Sequence, residues 1–200
     1  MNLMNLVLVK HAQPILDAAV PASLWRLSPE GEVQARHLAR RLEEFRPLFL
    51  ASSSEPKAMR TGEIVAAALG VPMRAVPGLE EFDRPALPLM SPAAHEELNA
   101  PIFDDPSVVV LGRESGAQAL ARFTAGVTMA LDSASQAGNL VIVAHGTVIS
   151  LFVAAHNDID PKALWKRLTC PSYVVVRLPG FVLERVVEHA GNEAGRSSEW

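Results

Sequence analysis

Two histidines stand where a sheet would place reactive groups. Leu6-Val7-Leu8-Val9-Lys10-His11-Ala12-Gln13-Pro14 runs four aliphatic residues into a lysine and a histidine. Leu140-Val141-Ile142-Val143-Ala144-His145-Gly146-Thr147 repeats the pattern. Unbroken aliphatic runs fit strands buried on both faces in the middle of a parallel sheet. Open α/β sheets bind ligands beyond the carboxyl ends of such strands. Both imidazoles therefore fall on the ligand-binding edge, and Lys10 beside His11 suits an anion. For either histidine alone, a polar strand end turned to water is the plainer reading, since a lone histidine is more often structural. Two such strands in a chain with six histidines favour a site.

The intervening chain reads as the frame for these strands. Ser28-Pro29-Glu30-Gly31-Glu32 opens a helix, with Ser28 at the N-cap, Pro29 at the first helical position and the glutamates at the positive end of the dipole. Val33, Ala35, Leu38, Ala39 and Leu42 give it an apolar face down to about Phe45, and Pro47 stops it. Leu48–Ser52 reads as a second strand. A second helix starts near Pro56 and runs through Ala58, Thr61, Ile64, Val65 and Leu69 to Gly70. The order β-α-β-α is the signature of a parallel α/β sheet. Gly112–Gln136 returns to helix, and the His145 strand and a buried helix over Val148–Ala155 follow. Asp160-Pro161 caps a short helix through Leu168. Ser172–Leu178 and Phe181–Val187 read as a closing hairpin turning at Pro179-Gly180.

Residues 71–114 are broken by Pro72, Pro77, Pro85, Pro88, Pro92, Pro101 and Pro106 and show no periodicity. So long a stretch without elements is uncommon in a compact domain and is commonly functional, here a lid-like insertion. The polar tail over residues 191–200 is expected to be mobile.

Composition bounds the rest. The 200-residue chain is 49% hydrophobic, enough for one core, so residues 1–190 read as a single domain. A net charge of −4 with interspersed signs gives no reason to expect nucleic acid or an anionic membrane as partner. The single cysteine, Cys170, excludes an internal disulfide and fits a reducing cytoplasm. Residues 1–20 lack a basic n-region and carry Lys10 and Asp17, unlike a signal peptide. No apolar run is long enough to span a bilayer.

Taken together, these motifs resemble the histidine phosphatase superfamily, the phosphoglycerate mutase-like fold, from about Leu6 to Val187. Val9-Lys10-His11-Ala12 stands where that family has a strand ending Arg-His-Gly. Leu27-Ser28-Pro29-Glu30-Gly31-Glu32-Val33-Gln34-Ala35 matches its Leu-Thr-x-x-Gly-x-x-Gln-Ala helix. Ser53-Ser54-Glu55-Pro56-Lys57-Ala58-Met59-Arg60-Thr61-Gly62 matches its Ser-Ser-Pro-x-x-Arg-Ala-x-x-Thr-Ala segment. Leu79-Glu80-Glu81 stands for its acidic Leu-x-Glu, Gly112-Arg113-Glu114-Ser115 for its Gly-Glu-Ser, and His145-Gly146 for its second His-Gly. Each is weak alone; six in the right order are strong.

The resemblance implies an α/β protein of three layers, a mostly parallel sheet with helices on both faces. It implies hydrolysis of a phosphomonoester, a small phosphorylated metabolite, with His11 as the nucleophile that becomes phosphohistidine. Glu81, with Glu80 as its rival, would protonate the leaving oxygen and then help activate water, which calls for a carboxyl pKa raised by burial. His145, Lys10 and Lys57 would hold the phosphoryl oxygens. Both family arginines are lysines here, which keeps charge and loses the bidentate fork. Arg60 and Arg84 are candidate substitute forks. No cofactor or metal is implied, and no histidine sits at ligand spacing with a second ligand on one helix face. Mutase-type phosphoryl transfer ranks lower, because Pro14-Ile15-Leu16-Asp17 stands where mutases carry an Asn. A phosphate-binding protein without turnover is kept open by the two lysines. Inorganic phosphate is the other expected ligand; oligomeric state, a homodimer included, is left open.

Overall fold

Leu6, Val7, Leu8 and Val9 are all fully buried, with the valines turned to one side of a sheet and the leucines to the other. Side chains alternate across a strand, so a strand with two buried faces needs an apolar residue at every position. In the computed structural model, which describes residues 5–134, 138–192 and 197–199, these residues form β1 (Asn5–Lys10). Three more parallel strands accompany it: β2 (Phe49–Ser52), β3 (Met73–Ala75) and β4 (Leu140–Ala144). β5 (Ser172–Arg177) runs antiparallel to β1, β6 (Val182–Val187) antiparallel to β5, and β7 (Ser197–Glu199) antiparallel to β6. The sheet order is β3-β2-β4-β1-β5-β6-β7, which puts β1 and β4 at its centre.

Helices cover both faces. On the valine side lie α1 (Pro29–Leu42) and α2 (Pro56–Leu69), which bury Leu38, Leu42, Ala58 and Val65 against Val7, Val9, Val141 and Val143. The other side is covered by α3 (Pro92–Asp104), α4 (Gly116–Ser133), α5 (Gly146–His156) and α6 (Pro161–Arg167), through Ile102, Phe123, Val127, Phe152 and Leu164. This is the expected three-layer α/β architecture with a mostly parallel sheet.

Local signals account for the helix starts. The Ser28 hydroxyl accepts from the Gly31 amide at 3.0 Å, with Pro29 and Glu30 behind it as expected. α4 starts four residues later than Gly112. Gly112 has a φ of 69°, and a Cβ there would lie 2.1 Å from the Asp83 carbonyl oxygen, so this turn packs on the Asp83 loop. The helix opens instead at a capping box of Ser115 and Gln118. Its described part ends at Ser133, and the expected end at Gln136 lies outside the described residues.

One expectation is corrected. Residues 71–114 are not without elements: they hold β3 and α3. β3 is three residues long on the sheet edge and too exposed to show alternation. α3 starts with Pro92 after Ser91, whose hydroxyl accepts from Ala94, and contains Pro101 in its interior. Proline disfavours a helix interior, yet burial of Asn99, Ile102 and Phe103 holds the segment in place. In the tail from Gly191 the described residues 197–199 form β7, which pairs antiparallel with β6. No helix of the described residues is long and apolar enough to cross a membrane.

Candidate active site

The register of β1 and β4 brings the histidines together. Lys10 pairs with Ala144, and the His11 amide extends the ladder by donating to the Ala144 carbonyl at 3.1 Å. The two imidazoles meet edge to face with centroids 5.2 Å apart. His11 Nδ1 lies 2.8 Å from the Ala12 carbonyl oxygen. A carbonyl only accepts, so Nδ1 carries the proton and the Nε2 lone pair is free. Burial pushes the His11 pKa well below the ordinary value, and the neighbouring His145, Lys57 and Lys10 push the same way against the Ala12 hydrogen bond. His145 caps α5, its Nε2 lies 2.8 Å from Ser53 Oγ, and its buried Nδ1 has no partner. Burial and Lys57 hold its pKa well down too. Both rings are neutral at neutral pH.

The turn after β1 is held from three sides. Thr61 Oγ1 accepts from the Ala12 amide at 3.1 Å, Gln34 Oε1 accepts from the Gln13 amide at 3.1 Å, and Ser28 Oγ donates to the Gln13 carbonyl at 2.9 Å. A Cβ on Gly31 would sit 2.3 Å from the Gln13 carbonyl oxygen. The glycine of the first-helix motif therefore lets α1 approach the loop behind the nucleophile candidate.

Glu81 sits at the amino end of α5. Its Oε2 accepts from Thr147 N at 3.2 Å, its Oε1 from Val148 N at 3.3 Å and from Phe82 N at 2.9 Å. Arg84 Nη2 lies 3.7 Å from Oε2. Burial would raise the Glu81 pKa, but Arg84 and the Phe82 amide outweigh it, and the net shift is downward. The expected raised value is thus not the resting state: the carboxyl is ionised. Glu80 is turned elsewhere, accepting from Ser54 Oγ and Gly78 N, both at 2.8 Å.

The cations divide. Lys10 Nζ donates to the Leu168 carbonyl at 2.6 Å and lies beside Gly146, where a Cβ would come within 3.3 Å of it. Lys57 is buried, donating to the Ala22 carbonyl at 2.7 Å and pairing with Glu55 Oε2. Arg84 Nη1 donates to Asn99 Oδ1 at 3.1 Å, and its Nε is buried without a partner. Arg60 is outside the site: half-exposed, it pairs with Glu32 and Glu63 on the outer face of α2. Three residues along the helix leave Arg60 about 60° round from Lys57, and that is enough to turn it to solvent while Lys57 stays buried.

A cavity of about 530 Å3 holds Lys10, His11, Glu81, Arg84 and Gly146. A second, of about 670 Å3, holds Ser54, Glu55, Lys57 and Glu80, and shares Ala22, Glu81 and Arg84 with the first. Among the described residues no group of three His, Cys, Asp or Glu side chains could hold a metal ion.

Three residues of this site are not evident from sequence. Glu55 Oε1 accepts from the Glu81 amide at 2.8 Å while Oε2 pairs with Lys57, and the only signal was a carboxylate set before Pro56. Ser53 holds His145 through its hydroxyl. Arg122 donates to the carbonyls of Gly78, Glu80 and Glu81 and pairs with Glu114, which ties the acidic loop to α4. An arginine among small and apolar residues of a helix was its one trace.

The fold and this site define a protein with a histidine pair at the carboxyl edge of a doubly covered α/β sheet. The chain matches the histidine phosphatase superfamily (branch 1) over residues 6–187 and belongs to it. A mycobacterial glucosyl-3-phosphoglycerate phosphatase, 20% identical, superposes with a TM-score of 0.71 over 100% of this chain and 99% of its own. Bacillus stearothermophilus YhfR, also 20% identical, gives 0.70 over 90% and 94%. An Entamoeba histolytica phosphoserine phosphatase mutant in complex with phosphoserine, 17% identical, gives 0.64 over 92% and 96%. Likeness at these identities shows the fold. No curated protein matches the chain by sequence.

Proposed function

We propose that the chain hydrolyses phosphomonoesters through phospho-His11, without a metal. The observation that carries this reading is the state of His11: buried, neutral, with Nδ1–H tied to the Ala12 carbonyl and the Nε2 lone pair free. Nε2 attacks phosphorus as the bond to the leaving oxygen breaks. Charge spread over the phosphoryl oxygens meets Lys10, Arg84 and the His145 Nδ1–H that a Ser53 hydroxyl donating to Nε2 would leave free. Glu81 gains its proton when the substrate arrives, because a second anion beside a carboxylate raises its pKa. It gives that proton to the departing alkoxide. A water then loses a proton to Glu81 and attacks phospho-His11, the P–N bond breaks, and phosphate leaves with His11 restored. Structures of the mycobacterial phosphatase with VO3 and with inorganic phosphate fit this reading.

A screen of phosphorylated metabolites against wild type and His11→Ala, in EDTA, tests it. Release of phosphate by wild type alone is expected, with inhibition by vanadate. Turnover that needs added magnesium or zinc would overturn it. Phosphate binding without turnover is a second reading, favoured by one observation: Lys57 is already paired with Glu55.

A further inference from the structure

We propose that the alcohol half of the substrate is large and apolar, bound by the proline-rich wall between Arg84 and Pro92; this rests on the hydrolase reading above. The cavity that His11 shares with Glu81 is walled by Trp25, Leu87, Pro88, Leu89, Met90 and Trp165. Its rim carries apolar groups as well. Leu16 and Leu89 both line it and are 52% and 56% exposed. Single exposed leucines are ordinary, but apolar residues gathered at the mouth of a cavity mark a binding surface. Ligand pockets are typically apolar with a few placed polar groups. Here those groups sit at the phosphoryl end.

The neighbouring cavity is the charged one, and it offers little to a second ligand. Its ions answer one another: Asp83 with Arg113, Glu114 and Glu80 with Arg122, and Glu55 with Lys57. His11 does not line it. A leaving alcohol on a phosphoryl group attacked by His11 therefore extends into the apolar lobe. Beyond the phosphoryl end that lobe offers Gln13, His95 and Cys170 as polar side chains. His95 already stacks on Trp165 with centroids 5.6 Å apart and lies 3.4 Å from Arg84 Nη1. Sugar or polyol hydroxyls would meet proline rings, leucines and Met90, and would lose their water without replacement. An alkyl chain or aromatic ring would lose nothing.

The test uses two series. Turnover is measured on linear alkyl phosphates from ethyl to octyl, whose leaving oxygens are chemically alike, with glycerol 1-phosphate set against propyl phosphate and 2-naphthylmethyl phosphate against octyl. Binding of the matching alkylphosphonates, which cannot be hydrolysed, is measured by calorimetry. We expect kcat/KM and phosphonate affinity to climb with chain length, up to roughly fourfold per methylene. Propyl phosphate should exceed glycerol 1-phosphate by roughly tenfold or more. Leu89→Asp, at an exposed position, should flatten both slopes. The naphthyl arm tells ring from chain, and a gain with either supports the proposal. Flat slopes, or glycerol 1-phosphate preferred to propyl phosphate, would overturn it. If no ester turns over, the hydrolase reading fails, and the phosphonate slope alone then decides the apolar lobe.

Discussion

His11 and His145 end two adjacent parallel strands at the same height, because Lys10 and Ala144 before them are register partners. Strands in a sheet lie about 4.8 Å apart, so two such rings must touch, and their centroids are 5.2 Å apart. Burial of the pair keeps both neutral, which on the proposed reading leaves His11 free to act as nucleophile and makes both rings a liability in acid.

That liability is measurable. Unfolded, each histidine binds a proton near pH 6.5; folded, each does so only well below it. Between those values the unfolded chain holds more protons, so stability falls as pH falls, by up to about 1.4 kcal/mol per pH unit for each ring. Glu81 works in a different window. Its lowered pKa adds stability above the ordinary carboxyl value of 4.5, lost only as pH drops through the folded value. Calorimetry should show Tm declining from about pH 6.5 downward, more shallowly in His145→Gln. A Tm unchanged between about pH 6.5 and 5 would contradict neutral buried rings.

Glu55 pairs with Lys57, and on the proposed reading that pair stands against any hold of Lys57 on a phosphoryl group. Glu55→Gln keeps an acceptor for the Glu81 amide and removes the opposing charge. Inorganic phosphate should then inhibit at roughly tenfold lower concentration, the effect of one charge at partly screened range. Lys57→Met should do the reverse and also destabilise the fold by about 3–5 kcal/mol, because it leaves Glu55 buried and unpaired. Inhibition constants and denaturant midpoints decide both.

Gly31→Ala places a methyl where the Gln13 carbonyl oxygen stands, 2.3 Å away. Either α1 or the loop behind His11 must shift. Overpacking of this kind costs about 1–3 kcal/mol, and kcat should fall along with the urea midpoint. An unchanged midpoint would show that the loop yields freely.

Arg122 fastens three carbonyls of the loop that carries Glu81. Arg122→Ala should lower kcat by roughly 100-fold, as a misplacement of about 1 Å does, with a smaller change in KM. A change in KM alone would place its influence on binding rather than on the acid.

The sheet centre and the histidine pair were legible because every cue agreed: aliphatic runs for buried strands, histidine at each carboxyl end, a helix cap at Ser28 and a first-position proline at Pro56. α3 was not legible, since Pro101 spoke against a helix that tertiary burial of Ile102 and Phe103 enforces, and the Ser91-Pro92 start signal stood alone in a proline-rich stretch. The direction of the Glu81 shift was missed for a similar reason. Burial is readable from its apolar neighbour Phe82, but sequence does not show that Arg84 turns back on the carboxylate or that His145 lies beside it. Arg60 shows a finer limit: three residues from Lys57 it stands about 60° round the helix, and only the packing of α2 decides that this turns it to solvent.

The central claim is a covalent phosphohistidine at position 11, and rapid-quench intact-mass spectrometry reads it directly. Enzyme mixed with excess phosphomonoester and quenched at neutral or alkaline pH should gain one phosphoryl group, mapped to His11. The gain should be absent in His11→Ala and longer-lived in Glu81→Gln, which cannot deprotonate the attacking water. Steady turnover with no phosphoenzyme at any quench time, or a phosphoryl group mapped to a residue other than His11, would contradict it.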